Sequence, residues 1–151
     1  MTNRRSMLKQ SAVVAGLLAS TGLFPQFAFA FNKNAFEAKS VQDALKALGL
    51  GAPQESKDVS ITAPDIAENG AVVPIGVATT LGGVKSMLIL VEKNPASLTA
   101  MFNVTDSVDP AFSARVKMGQ SSDVYAVAVL NDGKVLYTKK EVKVTLGGCG
   151  G

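Results

Sequence analysis

The only cysteine of the chain, Cys149, lies between glycines in the segment Gly147-Gly148-Cys149-Gly150-Gly151. Glycine has no Cβ atom and loses much conformational freedom when it is ordered, so this composition predicts a flexible C-terminal arm. A cysteine that served packing would lie in a core, where thiols are inert. From Leu146 to Cys149 the chain can extend by about 10 Å. The pattern therefore predicts a thiol that is presented to another molecule.

The chain contains no histidine. This excludes a serine or cysteine nucleophile paired with histidine, and a copper site that requires imidazole. One cysteine cannot build a structural zinc site or an iron–sulfur cluster. No glycine-rich loop between a strand and a helix suggests a phosphate-binding site. We therefore expect no catalytic residue, no metal site and no cofactor in this chain.

No cationic residue stands next to Cys149 to favour the thiolate. A thiol without such help is only about a few per cent ionised at neutral pH. The activating groups would then belong to an enzyme pocket into which the arm inserts, as expected of a carrier rather than a catalyst. The alternative is a non-enzymatic binding or assembly module in which Cys149 forms an intermolecular disulfide.

The N-terminus has the pattern of an export signal. Arg4 and Arg5 precede an apolar stretch over residues 11–24, and Ala28-Phe29-Ala30 matches a cleavage site. The paired arginines indicate the twin-arginine route, although Asn3 and Met7 depart from its commonest pattern. The apolar stretch is short for a membrane-spanning helix, so we expect cleavage and no stable membrane anchor. The predicted location is the bacterial periplasm.

Removing residues 1–30 takes away three basic residues and no acidic one, which leaves twelve of each in the mature chain. A net charge of zero does not suggest nucleic-acid binding, which needs a clustered basic excess. The predicted organisation is a signal over 1–30, one domain over 31–146 and the arm over 147–151.

The domain begins with one predicted helix and continues as strands. Ser40 is a suitable N-cap for a helix over 40–50 that Gly49 or Gly51 would end. Seven or eight short strands follow, separated by turns such as Glu68-Asn69-Gly70 and Asn131-Asp132-Gly133. Pro74 favours an edge strand or a bulge. This predicts an antiparallel immunoglobulin-like β-sandwich with a short N-terminal helix. The predicted strands cover 59–63, 71–79, 87–91, 98–104, 112–118, 124–130, 135–139 and 142–146.

The few large side chains of the strands are predicted to serve packing. We expect the aromatic residues to lie in the core or an interface, and the methionines to fill gaps in the core. An unusually apolar outer face would indicate a partner chain. These residues are Phe102, Phe112, Tyr125, Tyr137, Met87, Met101 and Met118.

The segment from Lys143 to Gly151 resembles the C-terminus of the SoxY family, the sulfur carriers of the bacterial thiosulfate-oxidising (Sox) system. Three internal stretches also resemble that family: residues 67–74, 90–95 and 116–120. The resemblance covers essentially the whole mature chain, and the terminal motif is its most specific part.

The resemblance implies that Cys149 carries pathway intermediates covalently and that the four glycines give access to it. It also implies several partners. A SoxZ-like subunit would form a heterodimer with this chain, and a haem cytochrome would join thiosulfate to the thiol. A dimanganese hydrolase would release sulfate, and a molybdenum–haem sulfur dehydrogenase, where present, would oxidise the remaining sulfur.

Overall fold

The structure, a computed structural model, describes residues 33–145. Two short helices precede nine strands in this part of the chain. The helices are α1 (Lys33–Glu37) and α2 (Val41–Ala47), and the strands are β1 (Gln54–Glu55), β2 (Val59–Thr62), β3 (Ile66–Ala67), β4 (Val73–Thr79), β5 (Val84–Val91), β6 (Leu98–Asn103), β7 (Ala111–Val116), β8 (Ser122–Leu130) and β9 (Val135–Val144).

The predicted N-cap and C-terminal glycine of α2 are confirmed. The Ser40 side chain accepts a hydrogen bond from the Asp43 amide at 3.1 Å. Gly49 has a φ of 70°, and the amides of Gly49 and Leu50 bond back to the carbonyls of Lys46 and Leu45. This pair of bonds satisfies carbonyls that the end of the helix would otherwise leave unpaired.

The strands form two facing sheets. The larger has the order β1-β9-β8-β5-β6, with β3 also pairing with β9, and the smaller has the order β2-β4-β7. The pairings are antiparallel except for those of β1 and β3 with β9, which are parallel. The predicted immunoglobulin-like β-sandwich is confirmed, and the two short parallel strands are additions that the sequence did not predict.

Strand β5 is buried on both faces and organises two apolar cores. Met87 and Ile89 belong to the core between the sheets. Leu88 and Leu90 belong to the core beneath the helices, which also contains Ala44 of α2. A continuously apolar strand is expected where both faces of a sheet are covered. The described domain thus has three layers, in the order helices, large sheet and small sheet.

The aromatic residues pack as predicted, whereas one methionine does not. Phe102 and Phe112 stack at a ring distance of 4.6 Å against the core between the sheets. Tyr125 and Tyr137 lie 5.7 Å apart on the helix side. Met87 and Met118 are buried, but the prediction for Met101 is wrong, because 38% of it is exposed. It lies on β6, at the edge of the large sheet, where only one strand adjoins it.

Two expectations about the strands also need correction. Pro74 lies in the middle strand of the small sheet, but β2 pairs with β4 only from Gly76 onward, so at Pro74 only β7 pairs with this strand.

The two predicted C-terminal strands are one, β9. The polar residues at 140–141, between the two predicted strands, do not end this strand. The Lys140 ammonium donates a hydrogen bond to the Ala63 carbonyl at 2.6 Å and pairs with Asp65 at 2.9 Å.

The C-terminal end of β9 is hydrogen-bonded on both sides. The amides of Lys143 and Thr145 donate to the carbonyls of Asp65 and Ala67, at 2.9 and 3.1 Å. On the other side, the Val144 amide donates to the Ser121 hydroxyl at 2.9 Å. We call Val144 and Thr145 the arm root, because the predicted arm begins two residues further on.

Gly70 packs directly against the arm root. A Cβ atom at this position would collide with the Met118 carbonyl oxygen and approach the Val144 Cγ1 atom to 2.8 Å. The Gly70 carbonyl also accepts a hydrogen bond from the Met118 amide at 2.7 Å. This close approach of three segments therefore requires glycine.

Within the described part of the chain, neither helix is long and apolar enough to cross a membrane.

We predict that Gly70→Ala lowers the free energy of unfolding by about 1–3 kcal/mol, because the backbone at Met118 or the Val144 side chain must move. Gly119→Ala is the matched control, since a Cβ there meets no atom within 4 Å. Chemical denaturation of the two variants measures the difference. Equal stability of the variants would contradict the packing described for Gly70.

Candidate functional site

The predicted site residues lie outside the part of the chain that the structure describes. These are Cys149, Gly147, Gly148, Gly150 and Gly151, and the export signal also lies outside it. The structure does describe the place from which the arm starts. Cys149 follows Thr145 by four residues, and four residues of extended chain span at most about 14 Å. The thiol is therefore confined to the neighbourhood of the arm root.

The arm root is anchored by backbone and side chain together. Thr145 is exposed, yet its amide and its hydroxyl both donate to the Ala67 carbonyl, the hydroxyl at 3.4 Å. Val144 is half-buried against the core between the sheets. The position of the described chain is therefore defined up to Thr145, two residues before the start of the predicted arm.

A shallow depression of about 210 Å³ surrounds the arm root. The turn at Glu68-Asn69-Gly70 forms one side of it, and the Asn69 side chain accepts a hydrogen bond from the Ala71 amide at 3.0 Å, as in an Asx turn. The loop after β7 forms the other side. The lining residues are Glu68, Asn69, Gly70, Ala71, Lys117, Met118, Gly119, Val144 and Thr145.

The first and third of the internal stretches that resemble the SoxY family line this depression, and the second is hydrogen-bonded to the third. The first stretch contains Gly70, whose carbonyl binds the Met118 amide of the third. The Asn94 side chain, in the second stretch, donates to the Lys117 carbonyl at 2.7 Å. Gln120 donates to the Lys93 carbonyl at 3.3 Å. Sequence reasoning did not predict this convergence, because it depends on contacts between residues more than 20 positions apart.

The described titratable groups with raised pKa values are not general bases. The hydrogen bond to the Asp123 carboxylate, at 2.8 Å, raises the pKa of Lys139. Burial raises the pKa of Tyr125, whose ring lies 5.7 Å from the Lys139 ammonium. Both groups normally hold their protons at neutral pH, and these shifts make them hold the protons more firmly. Neither can remove a proton from a thiol under those conditions.

Residues 33–145 have two further features that bear on a candidate site. These residues contain no group of three or more acidic, cysteine or histidine side chains that could hold a metal ion. The outer face of the small sheet has a broad, open depression of about 720 Å³ beside Pro74, Ser113 and Arg115. Small residues such as Gly76 and Ala114 line it together with these three.

Comparison with known proteins extends these observations. The family model described as sulfur oxidation protein SoxY matches residues 45–149, a range that includes both the arm root and Cys149. No curated protein sequence matches the chain significantly.

Two solved structures illustrate the similarity. The sulfur carrier protein SoxY from Chlorobium limicola f thiosulfatophilum is 36% identical, with a TM-score of 0.61 over 70% of this chain and 96% of that one. A superoxide reductase (neelaredoxin) from Ignicoccus hospitalis is 14% identical, with a TM-score of 0.53 over 58% of this chain and 80% of that one. The second likeness shows only a shared fold. From the family match and the first structure, the chain belongs to the SoxY family of sulfur oxidation proteins.

Proposed function

We propose that this chain is the covalent sulfur carrier of periplasmic thiosulfate oxidation, with Cys149 as the attachment site. One observation carries the proposal: the single cysteine of a SoxY-family chain lies only four positions after Thr145, whose amide is hydrogen-bonded to the Ala67 carbonyl. The arm root fixes the starting point of the arm, and the glycines around Cys149 add no side-chain bulk to a segment that must enter enzyme channels.

The chemistry requires only a thiol from this chain. Joining thiosulfate to Cys149 forms a sulfur–sulfur bond and releases the thiol proton and two electrons, which a haem cytochrome accepts. Hydrolysis by a dimanganese enzyme then breaks the bond between the outer sulfur and the sulfonate group. Water supplies the new oxygen of sulfate, and the sulfane sulfur stays on Cys149 as a persulfide. A molybdenum–haem dehydrogenase, where present, oxidises that sulfur before a further hydrolysis.

We infer that the chain is a carrier subunit and not an enzyme. The support is its lack of histidine, together with the protonated state of Lys139 and Tyr125 at neutral pH. A thiol without a neighbouring base depends on the receiving enzyme for activation. Because the chain does not activate Cys149 itself, the thiol is protected from unproductive reactions while it travels between enzymes.

We further propose a heterodimer with a SoxZ-like subunit and action in the periplasm. The support for the location is the signal pattern around Arg4 and Arg5 and the cleavage pattern at Ala28-Phe29-Ala30. Twin-arginine export transports folded proteins, so a partner without its own signal can leave the cytoplasm bound to this chain.

We predict that Cys149→Ser abolishes thiosulfate-dependent turnover in a reconstituted system, because a hydroxyl cannot form the sulfur–sulfur bond. Circular dichroism and thermal unfolding should match those of the parent chain. Retained turnover would contradict the proposal and would favour a binding module in which the cysteine serves only dimerisation.

We also predict that replacing both Gly147 and Gly148 with valine slows turnover about tenfold or more, because added bulk hinders entry into the enzyme channels. Titration with a thiol reagent should still detect one reactive cysteine. The matched control replaces Gly51 and Gly82 with valine, since both lie in exposed loops with open space around them. Full activity of the arm variant with every enzyme would argue against a narrow channel.

A further inference from the structure

The reach of the arm limits which surface an enzyme must touch. This step rests on the proposed function. Cys149 lies within about 14 Å of Thr145 along an extended chain. An enzyme that keeps its reacting groups in a buried site uses most of that length to admit the thiol. The rim of its channel must therefore approach the residues around the arm root.

Two exposed apolar side chains lie in the chain segment that contacts the arm root, just outside the depression itself. Ile66 is 57% exposed and Val72 is 49% exposed, the highest fractions among the large apolar residues that the structure describes. Ile66 lies opposite Lys143 in the β3–β9 register, and Val72 follows Gly70 by two residues. Both therefore belong to the segment that hydrogen-bonds to, and packs against, Val144 and Thr145.

Three exposed charged residues lie on the same segments or on strands and loops that contact them. Glu68 and Lys117 line the depression at the arm root, and Lys143 lies beside Ile66. None of these three side chains has an ion-pair partner among residues 33–145. Apolar contacts with a polar border are the usual composition of a protein–protein interface. We call Ile66, Glu68, Val72, Lys117 and Lys143 the collar.

The collar is attached to an ordered framework. The bond from the Met118 amide to the Gly70 carbonyl joins the two sides of the depression, and Asn94 holds the Lys117 carbonyl. The Asp65 and Ala67 carbonyls hold the strand that carries Lys143. A surface that is already ordered loses little conformational entropy when it docks.

We propose that the collar is the docking surface for the enzymes that act on sulfur held by Cys149. Its occupant is the rim of an active-site channel, which presents apolar surface to Ile66 and Val72. Each enzyme must reach the same sulfur with the same short arm, so all of them use this one surface in turn. Such exchange requires a small, transient interface rather than a permanent one.

The test uses the double variant Ile66→Thr, Val72→Thr, which keeps the β-branched shape and removes apolar contact. The control is Val108→Thr, which alters a residue that is 45% exposed and precedes β7 at the opposite end of the sandwich. The substrate is the carrier loaded with thiosulfonate, assayed with the purified sulfate-releasing hydrolase of the same system. We expect the double variant to raise KM about fivefold or more without changing kcat, and the control to change neither.

A second measurement separates docking from chemistry. The Cys149→Ser carrier with an intact collar should inhibit the hydrolase competitively, and adding the two threonine substitutions should raise its inhibition constant by a similar factor. Should the double variant unfold, Val72→Thr alone repeats both measurements, because Val72 lies outside the strands.

The outcomes are distinguishable. An unchanged KM and inhibition constant, with turnover abolished by Cys149→Ser, overturns the collar and leaves the carrier function intact. Turnover that survives Cys149→Ser overturns the carrier function itself. Loss of the SoxZ-like subunit on co-purification of the double variant, but not of the control, assigns Ile66 and Val72 to the permanent partner and also overturns the docking proposal.

Discussion

The hydrogen bonds at the end of β9 are the constraint on which the account of this molecule depends. Residues 65–67 hold the strand on one side and Ser121 holds it on the other. The described chain therefore reaches Thr145 in a defined position, and only three residues separate Thr145 from Cys149. A thiol on such a short tether can move, but it cannot leave the vicinity of the arm root. An enzyme that reacts with Cys149 must therefore also approach the surface around the arm root.

The layers of the fold support that end of the molecule. Strand β5 is buried from both sides, and its pairing with β8 positions β9 within the large sheet. Gly70 allows the loop before β4 to approach Val144 and Met118 closely. The core thus acts as a scaffold. Burial raises the pKa of Tyr125 and the hydrogen bond to Asp123 raises the pKa of Lys139, so both groups hold their protons at neutral pH. This suits the proposed carrier role, in which the activating groups belong to the enzymes that receive the thiol.

Local signals in the sequence predicted much of the fold. Ser40, Gly49 and the apolar run of β5 act through neighbouring residues, so their effects can be inferred without the tertiary structure. Helix α1 has only five residues and no acidic residue in its first turn, so it gave little signal. Strands β1 and β3 have two residues each and exist through parallel pairing with β9, which is a long-range contact. Strand β9 is continuous because β8 pairs with it without a break from Val135 to Val142, a long-range contact that the local polar residues do not signal.

For the candidate site, the sequence indicated the cysteine but not the surface around the arm root. The role proposed for Cys149 was inferred from residue types alone, since a chain without histidine and with one glycine-flanked cysteine has few other options. The surroundings of the arm root did not follow, because Gly70, Asn94 and Met118 come together only in the folded chain. The arm therefore remains a prediction from sequence, whereas the surface at its base is described by the structure.

Intact mass spectrometry of the mature protein tests the central claim most directly. The protein is purified without reductant from cells grown on thiosulfate, and its mass is measured before and after reduction. The carrier account predicts reducible mass increments of sulfane sulfur or thiosulfonate, which fragmentation places on the peptide that contains Cys149. A mass that shows only the free thiol or a simple disulfide dimer, while the cells oxidise thiosulfate, would contradict it.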